Sequence, residues 1–523
     1  MLVSLGVENF RSFKKKTDIK LKPITVFVGR NSCGKSSFLR LFPLFRQSIE
    51  AHTTGPILWF GRYVDFGDFN NVLFKGAEEK EITFYFKIKC SHYIKDYDDF
   101  FNNKKGKRKL TDFTVELTIE PDNQKTKYKN LNIFSDNFKI FINQQPQNTI
   151  KVLIENFNKK EEFNISKAYI KKSGLSYLLP VLQYETKWGE NSEFFSNKYL
   201  ENLFYRDFRS FDYLYSSYKE LNKYLSNKVH ESKVLPVLSD ITIKEINEKG
   251  LYDSLKNILK NNKDFIYDLN ENYSKIYEAI APKLLLANLN PLLLNIDEDL
   301  NITFSNIRYI APIRAITERF YRFQDLQIDE MDHTGSNMAM LLNSLSSKDK
   351  KLFGDWVKKN FNFSVEVDES GSHYTINIID GNDIKYNISD MGFGYSQLLP
   401  IIMSLWLEMQ KKETKKNQRN NDLFFVIEQP ELHLHPAYQA QLAKLFSKII
   451  SKASRFNIKI IVETHSQYFI NALGESVEQK QISKDEISIV VFNKKDKETE
   501  IQEAYFDEEG TLENWPIGFF SGE

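Results

Sequence analysis

Residues 423 to 436 read LFFVIEQPELHLHP, and this stretch decides the fold. An apolar run from Leu423 to Ile427 ends at Glu428 and is stopped by Pro430, which is how a strand buried on both faces of a parallel sheet looks in sequence. A carboxylate at the end of such a strand is where a nucleotide-hydrolysing enzyme places its magnesium ion. Glu428 stands there in place of the commoner aspartate, and its longer side chain still reaches a magnesium-bound water. Gln429 follows, where many such enzymes carry the glutamate that activates water. An amide cannot accept a proton at neutral pH, although it can orient a water molecule. Glu431, just past Pro430, is the nearest spare carboxylate; it reads either as a displaced base or as a helix-entry or salt-bridging residue. His433 and His435 form an H-x-H pair, but no further His or Cys nearby completes a zinc set, so interface contacts are the better reading. Pro436 suits the first turn of the helix that AYQAQLAKLF describes.

The partner motif lies near the other end of the chain. VGRNSCGKSS contains Gly29, Arg30, Asn31, Ser32, Cys33, Gly34, Lys35, Ser36 and Ser37, and fits G-x-x-x-x-G-K-[ST]. It follows the strand-like ITVFV and opens an apolar-periodic helix from about Lys35 to Ser48, the context that separates a phosphate-binding loop from a plain Gly-rich turn. Glycines let backbone N–H groups face phosphate oxygens, with Lys35 reaching the β- and γ-phosphates and the Ser36 hydroxyl on magnesium. Cys33 reads as a small filler, or as a thiol made reactive by the helix N-terminus.

Two further stretches narrow the class. In ISDMGFGYSQLLPII (388 to 402), Ser389, Gly392, Gly394, Ser396 and Gln397 form a small polar turn ahead of an apolar helix. It lies about thirty residues before the Glu428 strand, where an ABC-type ATPase keeps the signature that binds the other subunit's γ-phosphate. Helix N-caps explain the serines singly but not this order of motifs. The last buried strand ends in VETHS (462 to 466), which puts His465 where a γ-phosphate-sensing histidine would be. Arg314, in YIAPIRAITERF, reads as charged surface, with a phosphate or dimer contact as the alternative.

The totals fit a multi-lobed intracellular protein. With 71 Lys plus Arg against 70 Asp plus Glu in 523 residues, no global charge argues for nucleic acid. KKGKRK (104 to 109), between two strand-like runs, reads as a solvated hairpin loop or a phosphate-backbone contact. Two cysteines exclude a disulfide scaffold and fit a reducing compartment. No secretory h-region and no membrane-length apolar run is visible, so the expected location is cytoplasmic, without a membrane. EITFYFKIKC (81 to 90) and TDFTVELTIE (111 to 120) alternate like antiparallel strands. Residues 185 to 300 turn helical and Asn/Lys-rich without a sustained heptad. Strands return at ITFSNIRYIAP, and the middle of the chain reads as inserted into a head built from both ends.

The order NFRSFK, GRNSCGKSS, YIAPIR, DMGFGYSQ, IEQPELHLHP and ETHS resembles the OLD-like AAA ATPases, single-head relatives of the SMC and RecF-type ABC ATPases. The tail GTLENWPIGFF (510 to 520) resembles the short C-terminal domain of one branch, in which Gln or Asn after the strand carboxylate is familiar. The resemblance implies an α/β fold: an ABC-type ATPase head with a mostly parallel central sheet, an antiparallel β lobe and an inserted helical region. The expected parts are residues 1–80 and 301–490 for the two halves of the head, 81–184 for the β-rich lobe, 185–300 for the helical insertion and 491–523 for a small tail domain.

The resemblance also implies ATP and Mg2+ as cofactors and a homodimer that sandwiches ATP between one P-loop and the partner's signature, possibly with higher assembly. It implies a role in bacterial anti-phage defence beside a separately encoded nuclease or toxin effector, as in Gabija, Septu, PARIS and retron-linked systems. The 58 residues after His465 are too few for the TOPRIM nuclease domain of some relatives, so nuclease activity is expected in another protein. Gln429 leads to an expectation of slow hydrolysis and long-lived ATP-bound dimers. The alternatives are an ATP-locked scaffold that sequesters an effector, and a RecF-like DNA-repair ATPase in which KKGKRK touches duplex.

Overall fold

The computed structural model describes residues 1–51, 53–93, 108–123, 125–156, 159–172, 177–184, 208–312, 314, 317–322, 328, 330–414, 422–452 and 457–516. The chain forms two compact units, one of Met1–Glu50, Leu58–Glu79 and Ile302–Glu523, the other of Ala51–Ile57 and Lys80–Asn301.

The first unit is built on a seven-stranded sheet. Its strands are β1 (Ile24–Gly29), β2 (Ile307–Ile310), β3 (Leu423–Glu428), β4 (Ile458–Glu463), β5 (Ile487–Lys495), β6 (Glu498–Phe506) and β7 (Leu512–Glu513), in the spatial order β2-β3-β4-β1-β5-β6-β7. The five strands β2, β3, β4, β1 and β5 pair parallel, and β6 and β7 add an antiparallel edge. Every residue of β1, β3 and β4 is buried, which accounts for their mostly apolar text, broken by Thr25 in β1, by Lys459 in β4 and by the carboxylates Glu428 and Glu463 that end β3 and β4. The expected α/β head with a parallel centre is therefore present. β6 and β7 carry the same sheet out to Glu513, within the stretch read as a tail; residues 517–523 lie outside the described set.

Helices cover both faces. α1 (Lys35–Leu39) runs through Arg40 into α2 (Leu41–Glu50), since Arg40 N bonds to Ser36 O and Leu44 N to Arg40 O. On that face Phe13, Phe27, Phe38 and Phe492 pack edge to face, with ring centroids 5.2 to 6.3 Å apart, directly beneath the phosphate loop. On the other face α3 (Phe393–Thr414), α4 (Pro436–Lys452) and α5 (Gln467–Glu478) bury Leu398, Ile402, Leu442, Phe446 and Phe469 against Val26, Val28, Phe425, Ile427, Ile460 and Val462. Each such side chain contributes about 2 kcal/mol on leaving water. One expectation fails locally. ITFS, read as strand, closes the helix Leu289–Ser305, and only Ile307–Ile310 is extended; burial of Phe304 outweighs the β preference of Ile302 and Thr303.

The second unit holds a meander of six strands, Ile82–Tyr93, Arg108–Asp122, Lys125–Phe134, Phe138–Gln145, Thr149–Asn156 and Lys159–Ile165, each antiparallel to the next. The strands expected at 81–90 and 111–120 are thus paired, and Arg108 and Lys109 of the basic run lie opposite Tyr93 and His92. Residues 104–107 lie outside the described set. Helices follow from Phe208, the longest being Lys263–Ala287, whose Tyr277 hydroxyl takes a hydrogen bond from Asn156 Nδ2 at 3.1 Å. Among the described residues no single helix is long and apolar enough to cross a membrane.

Candidate nucleotide-binding and active site

The carboxyl ends of β1, β3 and β4 lie side by side, and the motif residues meet there. The loop after β1 needs its glycines. A Cβ on Gly29 (φ 153°) would fall 2.5 Å from Phe492 O, and one on Gly34 (φ 99°) would fall 2.8 Å from Ser12 Oγ. Arg30, Asn31 and Ser32 are exposed, Ser32 in the left-handed region at φ 62°. Lys35 is buried, and its Nζ donates back to Gly29 O at 3.0 Å and Arg30 O at 2.9 Å, which holds the loop curled. Behind the loop, Thr499 Oγ1 lies 2.7 Å from Ser12 Oγ and 2.8 Å from Cys33 O, so β6 staples it in place. Cys33 is 1% exposed and burial pushes its thiol up, with Lys35 pulling only partly against it. The reactive-thiol reading falls, because desolvation outweighs the nearby positive charge.

Two carboxylates end adjacent strands in register, Glu428 on β3 opposite Glu463 on β4. Glu428 is fully engaged. Arg40 Nη2 donates to its Oε1 at 2.6 Å and Arg40 Nε to its Oε2 at 2.9 Å, while the buried Tyr309 hydroxyl donates to Oε2 at 2.8 Å. Burial alone would depress the Arg40 guanidinium; the bonds to Glu428 more than reverse that and raise it. Glu463 is the carboxylate nearer the loop. Its Oε1 accepts the Ser36 hydroxyl at 2.8 Å and lies 3.9 Å from Lys35 Nζ. Burial first, then the Glu428 charge, pushes the Glu463 carboxyl up to about 7, with Ser36 and Lys35 acting the other way.

Past these strand ends the chain makes two tied turns. Gln429 takes a left-handed φ of 46° and donates its backbone N–H to Glu463 O at 2.9 Å. Glu431 turns back to accept Thr464 Oγ1 on Oε2 at 2.9 Å and His465 N on Oε1 at 2.6 Å. Burial raises the Glu431 carboxyl, those bonds working against it. Burial, and after it the Lys35 charge, lowers the His465 imidazole. His433 lies against Phe393 with ring centroids 6.0 Å apart, and His435 Nδ1 accepts Ala437 N at 3.2 Å as a cap on α4.

The signature segment divides. Ser389 and Gly392 are exposed, and nothing lies within 4 Å of where a Cβ on Gly392 would sit. Gly394 passes close to the backbone of His433, at 3.2 Å from its carbonyl to the Cβ position. Ser396 and Gln397 are buried: Ser396 Oγ donates to Phe393 O at 2.7 Å, and Gln397 Oε1 lies 3.5 Å from Arg314 Nη1. Arg314 is buried too, donating to Glu428 O at 3.2 Å, with its guanidinium lowered to about 10 by burial. The surface reading of Arg314 is corrected: its charge sits inside, against the carboxyl end of β3 and facing Glu431.

The sequence matches the AAA ATPase domain family (AAA_15) over residues 1–470. The chain belongs to that family. Among curated proteins none matches it. Among solved structures, the Smc head domain with an extended coiled coil bound to the C-terminal domain of ScpA, from Pyrococcus furiosus, aligns at 12% identity and TM-score 0.33, covering 96% of each chain. The SMC head domain from Thermotoga maritima aligns at 10% identity and TM-score 0.34, covering 96% of this chain and 98% of that one. The Smc head domain with a coiled coil and joint from Pyrococcus yayanosii aligns at 11% identity and TM-score 0.34, covering 97% and 98%.

In this AAA ATPase the residues present suit a magnesium–nucleotide group. Glu463 Oε2, His465 Nε2 and Arg314 Nε are buried without a hydrogen-bond partner, unmet acceptors and donors near the carboxyl ends of β3 and β4. Lys35, Ser36 and the strand-end carboxylates supply the charge and oxygen donors that magnesium phosphate requires. Glu463, Arg40, Tyr309, Ser12 and Thr499 escaped the sequence reading. One of them left a trace: IKIIVE ends in a carboxylate just as LFFVIE does.

Proposed function

We propose that this AAA ATPase is a slow, ATP-controlled switch that regulates a separately encoded nuclease or toxin effector in anti-phage defence. In this reading the loop Gly29–Ser37 binds the phosphates, with Lys35 on the β- and γ-phosphates. Ser36 and the strand-end carboxylates Glu428 and Glu463 form the magnesium pocket, and His465 faces the γ-phosphate. Ser389 and Gly392 offer the exposed part of a signature that would close the site of a second copy, with the half-buried Gly394 behind them. Bound magnesium would neutralise phosphate charge and orient the terminal group for in-line attack.

The observation that carries the slow rate is the state of Gln429 and Glu431 just past β3. Gln429 cannot take a proton, and both oxygens of Glu431 are already engaged by Thr464 and His465. What remains for Gln429 is to orient water. The same observation favours a second reading, an ATP-locked scaffold with little hydrolysis. The defence role and the effector rest on the motif order and the tail resemblance, and the balanced charge gives DNA binding no support.

Steady-state turnover of wild type, Glu431→Gln and Lys35→Ala decides between these readings. Turnover above the Lys35→Ala blank makes the protein an ATPase in its own right, and its loss in Glu431→Gln marks Glu431 as necessary. Wild type that binds ATP yet matches the blank is the locked scaffold. Stoichiometric co-purification with a neighbour-encoded effector supports the regulatory role; salt-sensitive duplex binding lost on neutralising KKGKRK would replace it with the DNA-repair reading.

A further inference from the structure

The motif order assigns the metal to Glu428, but the geometry points to Glu463: we propose that Glu463 is the carboxylate that binds magnesium directly beside Ser36, and that Glu428 holds the site together through Arg40 and Tyr309. This rests on the nucleotide reading above and refines which residue meets the ion.

Four observations converge. The hydroxyl that the motif gives to the metal, Ser36 Oγ, is bonded to Glu463 at 2.8 Å, across 427 residues of sequence. Glu463 Oε2 is buried and has no partner, in a side chain only 1% exposed. A desolvated carboxylate oxygen left unmet is costly unless a cation completes it. Glu428, by contrast, has no idle oxygen, since Arg40 takes both and Tyr309 shares one. Finally, β4 is the direct neighbour of β1, whereas β3 is one strand further, about 4.8 Å more distant from the loop. Glu463 and Ser36 thus form a pair of oxygen donors of the kind magnesium takes from a protein, which supplies one or two ligands and leaves the rest to phosphate and water.

The role of Glu428 follows from the same network. It anchors Arg40, which lies between α1 and α2, so it fixes the helix that carries Lys35 and Ser36. It is a positioning residue whose loss disturbs the loop rather than the ion.

The test uses the full-length protein with Mn2+ as the metal probe, followed by electron paramagnetic resonance in the presence of ATP, and ATP affinity measured separately in EDTA. Glu463→Gln keeps an oxygen for Ser36 and the same shape, and serves as the first variant; Glu463→Asp, which keeps the charge but shortens the reach, is the second. The expected result is that Glu463→Gln binds ATP in EDTA within about twofold of wild type but weakens Mn2+ by about tenfold or more. Glu463→Asp should fall between the two, and Glu428→Gln should change ATP affinity in EDTA more than Mn2+ affinity. Unchanged Mn2+ affinity in Glu463→Gln, with the loss appearing in Glu428→Gln, overturns the inference and leaves the nucleotide reading intact. Wild type that binds no ATP in either condition overturns both. Should Glu463→Gln not fold, the Glu463→Asp result alone decides, since undiminished Mn2+ affinity there excludes a direct ligand with a fixed reach.

Discussion

The carboxylate of Glu431 accepts the backbone amide of His465 at 2.6 Å, so the turn after β3 and the turn after β4 are joined at one side chain. With Thr464 Oγ1 on the other oxygen, each Glu431 oxygen holds one hydrogen bond from the segment after β4, a geometry that suits an anchor for the His465 loop. Thr464→Val separates anchoring from base chemistry. It frees Oε2, which would speed a base and loosen an anchor. We expect turnover to fall about tenfold, near 1.4 kcal/mol, with ATP affinity unchanged; a rise in turnover would restore Glu431 as the base.

Arg40→Ala strands a buried carboxylate. Breaking a fully buried pair costs about 3–5 kcal/mol, but Arg40 is 37% exposed, so the expected loss in urea unfolding is about 2 kcal/mol. Tyr309→Phe removes one bond to the same Glu428 oxygen and should cost about 1 kcal/mol. Equal losses for the two variants would mean that the guanidinium contributes no more than a hydroxyl.

The phosphate loop depends on what lies behind it. Gly34→Ala puts a methyl 2.8 Å from Ser12 Oγ and 2.9 Å from Phe13 Cζ at a φ that disfavours it, and ATP affinity should fall by more than about tenfold. Thr499→Val leaves the loop sequence untouched and removes its staple; ATP affinity should fall about threefold to tenfold, the worth of roughly 1 kcal/mol. Isothermal titration of both variants against wild type checks the pair.

Exposed Gly392 provides a test of closure between two copies. Its Cβ position is open, so Gly392→Glu should leave thermal stability and ATP affinity unchanged in one chain. If Gly392 meets a second copy's nucleotide, the new charge should abolish ATP-dependent dimerisation in sedimentation and turnover with it. Ser396→Ala, at a buried hydroxyl that donates back to Phe393 O, should instead lower stability by about 1 kcal/mol and leave dimerisation unchanged.

Most of the head was legible because its signals are local. Buried parallel strands have no polar alternation, and a phosphate loop needs glycine where a Cβ collides, so β1, β3, β4 and Gly29–Ser37 stand out in text. What stayed hidden depends on long-range pairing. Nothing near Arg314 says that its charge is buried on the carbonyl of Glu428, and nothing near Ser396 and Gln397 separates inward polar groups from the exposed Ser389 and Gly392. The local rule for Cys33 pointed to a low pKa, and desolvation, invisible in sequence, reversed it. ITFS followed the strand preference of its residues until packing around Phe304 overrode it.

The place of β1 between β4 and β5 also has a consequence for the newly made chain. Both neighbours of the phosphate-loop strand come from beyond residue 457, while in the antiparallel meander of the second unit each strand pairs with the next in sequence. At ordinary ribosomal speeds the roughly 430 residues between β1 and β4 take about twenty to ninety seconds to make. Throughout that interval the loop that will grip phosphate has no sheet to hold it and no Thr499 to brace it. A chain cut short before β4 and β5 lacks both sheet neighbours of the phosphate-loop strand as well as the Thr499 brace, and is expected not to bind nucleotide.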